Sequence, residues 1–131
     1  MAALTKDRPT KRRAQGSHSD PVAAGKNIFS GALVVLNATD YAEPATAATG
    51  LRVRGVAIHP SNNSNGVNGD GTIVTNTGAH LFKNAGDIDR SDIGSTAYIT
   101  DDQTVTADNT DSSAVGRIED VETNGVWVFI D

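Results

Sequence analysis

Breaker residues recur so often between residues 21 and 131 that no long helix fits, and this limits the fold more than any other feature. Short apolar runs rich in Val, Ile and Thr alternate with clusters of Gly, Asn, Asp and Ser, the pattern of a small all-β domain. Gly31–Leu36 reads as a strand buried on both faces. In Leu51–Ile58 the alternation sets Leu51 and Val53 on one face and Arg52 and Arg54 on the other. Thr72–Thr77 and Ala79–Phe82 form strands on either side of Gly78, a bend or bulge. Thr96–Thr100 and Thr104–Ala107 flank Asp101-Asp102-Gln103 as one hairpin. Ala114–Glu122 and Val126–Ile130 form another through Thr123-Asn124-Gly125, where Asn-Gly is a strong turn signal. Asp87–Gly94 has room for a single helical turn, capped by Asp89 or Ser91 and stopped by Gly94. Two stretches lack periodicity. Ala38–Gly50 is read as a surface connection anchored by Tyr41, and Pro60–Gly71 as a long polar loop. No repeat of 20–50 residues suggests a solenoid.

The terminal strand carries an unusual pattern. Val126, Val128 and Ile130 share one face while Trp127 and Phe129 share the other, so both faces are apolar. Such a strand is central in its sheet, or its second face meets another subunit. Trp127 and Phe129 are therefore candidates for core or subunit contact.

Charge divides the chain. Residues 1–20 carry five basic and two acidic side chains, a net +3, whereas residues 21–131 carry six basic and fourteen acidic, a net −8. The first segment holds few apolar residues and cannot bury enough surface to offset its ordering entropy, so in isolation it is expected to be disordered. The chain thus reads as a basic arm, 1–20, and a β-rich domain, 21–131. Three consecutive charges, Lys11-Arg12-Arg13, without interleaved aromatics, are a weak nucleic-acid signal beside an acidic body. An arm lying on an acidic protein surface is the better reading, with Leu4 as apolar anchor and Lys6, Arg8, Lys11, Arg12 and Arg13 bonded to carboxylates. A plain solubility tail is the unadorned alternative.

Catalytic chemistry has little to work with. Cysteine is absent, which removes thiol nucleophiles, thiolate metal sites and disulfides. His18, His59 and His80 are scattered without metal-ligand spacing. Asp87, Asp89, Asp92, Asp101 and Asp102 lack the closing Glu of a calcium loop, and Asn68-Gly69-Asp70-Gly71 lacks the remaining ligands. One Trp and two Tyr are too few to line a sugar groove. Neither a Gly-x-Ser-x-Gly elbow nor a phosphate-binding Gly-Lys-Ser/Thr loop occurs. The sequons at Asn37 and Asn62 matter only on a secretory route. No apolar run reaches the ~18–20 residues of a membrane span. A non-enzyme without cofactor or metal is expected, made in the cytoplasm and contacting neither nucleic acid nor membrane. With 37% hydrophobic and 5% aromatic residues, the core is thin, which points to an oligomer or a partner surface.

Several segments together resemble the small head-decoration, or capsid-cement, proteins of tailed bacteriophages and prophages. They are ALTKDRPTKRR with DPVAAGKNIFSGALVVLNATDYAEP, then ATGLRVRGVA, and finally DIGSTAYITDDQTVT with AVGRIEDVETNGVWVFI. The likeness covers most of the chain and rests on structural glycines and apolar strands. It implies a compact β-barrel or β-sandwich-like (β-tulip-type) body on the outer surface of the virion head, cementing the major capsid protein lattice. It also implies a homo-oligomer, a trimer by preference, whose N-terminal extension contacts the capsid. The long Pro60–Gly71 loop departs from the generic pattern. A tail- or fibre-associated β module is the neighbouring reading, and a small carbohydrate-binding or hydrolase domain the reading from another class.

Overall fold

The computed structural model describes residues 2–9 and 16–131. The body is almost wholly β, as the punctuated sequence predicts, and of the two architectures expected, barrel or sandwich, it includes a closed barrel. Among the described residues twelve strands run in chain order: β1 Ser17–Pro21, β2 Asn27–Ile28, β3 Leu33–Leu36, β4 Ala42–Pro44, β5 Arg52–Ala57, β6 Ser61–Asn62, β7 Thr72–Asn76, β8 Gly78–Asn84, β9 Thr96–Ile99, β10 Thr104–Thr106, β11 Ala114–Glu122 and β12 Gly125–Ile130. The expected helical turn is a 3-10 turn at Arg90–Asp92. Asp89 is its N-cap, in a reciprocal capping box with Asp92, so Asp89 and not Ser91 starts it.

The C-terminal half closes a five-stranded barrel in the order β10-β8-β12-β11-β9. Both predicted hairpins, β9–β10 and β11–β12, are antiparallel. Closure comes from a parallel pairing of β10 with β8, reinforced by Lys83 N to Gln103 O at 2.8 Å and Ala85 N to Val105 O at 3.0 Å. Inward-facing Phe82, Ala97, Ile99, Val105, Val115, Ile118, Val126, Val128 and Ile130 fill the interior. Two glycines allow strands to approach closely. A Cβ on Gly116 would sit 2.1 Å from the Phe129 carbonyl oxygen, and one on Gly125 2.4 Å from that of Phe82.

The N-terminal half forms a second five-stranded sheet, β1-β7-β5-β3-β4. It curls until a single bridge, Val22 to Ala42, joins its ends. Strand β3 is buried on both faces, as predicted. Leu33 and Val35 reach into the barrel core, while Val34 packs with Val22, Ile28, Ala32, Ala42, Ala57 and Ile73 on the other side. The halves are stitched by Leu33 N to Asp102 O at 2.8 Å and by the Ser113 hydroxyl. That hydroxyl accepts from Leu51 N and donates to Ala48 O.

Three expectations need correction. The arm does not extend to residue 20, because Ser17–Pro21 is a strand paired along its length with β7. Asp20 is buried and forms a two-bond ion pair with Arg54, Nε–Oδ2 2.8 Å and Nη2–Oδ1 3.2 Å. Backbone pairing and one buried carboxylate override the polar composition that marked these residues as tail. The Ala38–Gly50 connection contains β4, and its anchors are the buried Ala42 and Ala45 more than the half-buried Tyr41. Pro60–Gly71 is no free loop: β6 pairs with β2, and Asn63 is buried. The Asn63 amide donates to the carbonyls of Val67 (2.9 Å), Ala23 (3.0 Å) and Val22 (3.3 Å), which plugs the open end of the curled sheet.

Candidate docking surfaces

The arm residues fall into two groups. Leu4, Lys6 and Arg8 lie in a segment without strand or helix, and all three are exposed, Leu4 to 72%. Lys11, Arg12 and Arg13 lie outside the described residues. The chain enters the fold at Gly16, whose carbonyl accepts from Thr77 N at 2.9 Å. Moving the boundary to residue 16 returns Asp20 to the body, so the arm carries five basic residues against Asp7 and the body becomes more acidic by one charge.

Trp127 and Phe129 occupy the centre of the barrel sheet, since β12 lies between β8 and β11. Their side of the strand faces outward, so the core alternative for this pair fails. Phe129 is 38% exposed and Trp127 half-buried, while Val126, Val128 and Ile130 turn inward. The physical reason is alternation in a closed barrel, where one face of every strand must leave the interior. Residues opposite one another across a ladder share a face, so the register builds this surface row by row. Ala79, Phe129 and Arg117 form one row and Leu81, Trp127 and Asp120 the next. A third row pairs Gly125 with Glu122. Leu81 is 40% exposed, which completes an apolar stripe with charges on both flanks. The Arg117 guanidinium lies 5.7 Å from the centre of the Phe129 ring and pairs with Glu119. Its hydrogen bond to Glu119 holds its pKa above the ordinary value. Asp120 pairs with Arg90 at 3.2 Å.

Concave regions offer weaker chemistry. A cleft of about 560 Å³ is lined by Asp92, Tyr98, Asp108 and Asn109 among others. Its carboxylates are bound to backbone: Asp92 accepts from Asp89 N, and Asp108 from Thr110 N, both at 2.9 Å. The hydrogen bonds from Thr110 hold the Asp108 carboxyl below its usual range, the reverse of what a general acid requires. A smaller groove of about 260 Å³ joins exposed Phe29 to Asp102 at the seam between the halves. Burial, then the neighbouring Asp101 charge, raises the Asp102 pKa. His59 serves structure: Val74 N donates to its Nε2 at 3.1 Å, so Nδ1 carries the proton toward Pro60 O. His18 stands in β1 rather than in the arm. Among the described residues no group of three His, Asp or Glu side chains is placed to hold a metal ion.

The terminal hairpin and its apolar second face were legible from alternation. Asn63 was not, because an Asn inside SNNSNGVNGDG looks like any turn-former; its neighbouring glycines are the one local hint. A Cβ on Gly66 would lie 1.9 Å from Asn63 Oδ1. In comparison with known proteins, no family model, no curated protein and no solved structure matches this chain.

Proposed function

We propose that this chain is a structural virion protein that binds the outside of a phage head and stabilises the major-capsid lattice. The observation that carries the reading is the division between an exposed basic arm and an acidic, tightly closed β body. Leu4, Lys6 and Arg8 project from a segment with no regular structure of its own, a form suited to being ordered by a partner surface. The curled N-terminal sheet, entered through β1, supplies the mount for that arm. The sequence likeness to head-decoration proteins supports the same reading. A protein that binds only the expanded lattice shifts the equilibrium toward it. Many copies, each bridging neighbouring capsid subunits, turn modest contacts into a large aggregate effect.

Occupancy on isolated heads across a salt series tests the reading. Replacing Lys11, Arg12 and Arg13 by Ala should lower occupancy moderately at low salt, since exposed ion pairs contribute about 0–1 kcal/mol each and are screened. The deficit should shrink as ionic strength rises. Absence of binding by the wild-type protein to heads would sink the proposal. Retention of nucleic acid without any capsid would favour a polynucleotide-binding arm instead.

A further inference from the structure

We infer that the outward β8–β12–β11 face is a contact site for a second copy of this chain, related to the first by a two-fold axis. The inference does not depend on the capsid reading. The face presents Leu81, Trp127 and Phe129 side by side, with charges of both signs around them. Mixed charge disfavours a strongly acidic or strongly basic partner and leaves self-complementarity as the property to examine.

The register allows that examination. A two-fold axis in the plane of the face, crossing the strands at the Trp127 row, reverses the order of rows on the opposing copy. Trp127 then meets Trp127 and Leu81 meets Leu81, an apolar centre with aromatic packing. The Phe129 row meets the Gly125 row, where the Leu81 side chain lies over the buried glycine, so the Phe129 ring of one copy faces Leu81 of the other. Arg117, at the edge of the Phe129 row, meets Glu122, at the edge of the Gly125 row, and the contact occurs twice by symmetry. Asp120 approaches its counterpart, but each already holds Arg90 at 3.2 Å, which tempers the repulsion. Rotation about an axis parallel to the strands would instead set Leu81 on Asp120 and Ala79 on Arg117, burying charge on apolar carbon.

The patch is small. Three strands and five residues span about 10 by 13 Å between backbone positions, well short of the roughly 800 Å² per partner of a standard stable interface. The pair is therefore weak in dilute solution and forms at high concentration or when copies are held close together.

Sedimentation equilibrium of the purified full chain, up to about 1 mM, should show a reversible monomer–dimer equilibrium. Phe129→Ser should abolish it while thermal unfolding shows that the variant remains folded. Arg117→Glu and Glu122→Arg should each weaken self-association by roughly tenfold, since each sets two like-charge pairs against one another. An equimolar mixture of these two variants should recover pairing, because only the mixed dimer restores both opposite-charge contacts. A wild-type chain that stays monomeric at the highest concentration overturns the inference. So does dimerisation unaffected by Phe129→Ser, or a mixture that associates no better than either charge variant alone.

Discussion

The two main sheets of this protein have five strands each and close in different ways. The barrel of residues 78–130 is hydrogen-bonded around its circumference, and apolar side chains fill it. The sheet of residues 17–76 closes through one bridge between Val22 and Ala42 and needs a buried amide, Asn63, to seal its end. A complete ladder satisfies its own backbone, so its interior can be purely apolar. The incomplete one is held by loop bonds as well, and the buried Asn63 amide ties the Val22–Ala23 segment to the loop around Val67. The N-terminal half is thus the part whose integrity depends on particular polar residues.

Truncation probes this contrast most severely. Removing residues 1–15 should leave thermal unfolding within a few degrees of the full chain, whereas removal through Pro21 deletes β1 and leaves Arg54 without Asp20. The second truncation should cost on the order of 3 kcal/mol or more, and circular dichroism melts of the two would show it. Equal melts would mean that β1 is dispensable and that the longer arm boundary describes the folded unit after all.

Leu33→Ala tests whether the halves unfold together. Leu33 sits on a strand of the curled sheet but is fully buried in the barrel core, so its truncation should cost about 2–5 kcal/mol in one cooperative transition. Two separated transitions in calorimetry would show that the shared core does not couple them. Asn63→Ala comes next, at about 1–2 kcal/mol, because the amide's bonds to the Val22, Ala23 and Val67 carbonyls are lost while each carbonyl keeps a backbone donor. Faster amide exchange should follow in the N-terminal sheet and not in the barrel, and a uniform change across both would count against a local plug.

The smallest effect belongs to the seam. Burial raises the Asp102 carboxyl above its ordinary pKa, so the charged form is disfavoured in the folded state and destabilises it above that raised value. The penalty disappears once pH falls below the ordinary carboxylate range, where folded and unfolded states are both protonated. Asp102→Asn should accordingly raise the melting temperature slightly at neutral pH, with the gain fading on acidification. A gain that persists at acid pH would trace to something other than charge.

The sequence by itself determined the β class, most strand positions, both C-terminal hairpins and a capped turn within Asp87–Gly94, while the structure chose Asp89 over Ser91 as its cap. These follow from side-chain period, turn residues and capping geometry, all of which act over a few neighbouring residues. Alternation also marked Trp127 and Phe129 as sharing one face of β12. Only the tertiary structure decided that this face turns outward, since an apolar alternation reads alike whether the far side meets core, solvent or a second subunit. It alone placed Ser17–Pro21 in a sheet, because β1 gains its partners from β7, more than fifty residues away in the chain. It alone distinguished Asn63 from the surrounding asparagines, for its amide bonds Val22 and Ala23 some forty residues earlier in the chain, and no local pattern records that meeting.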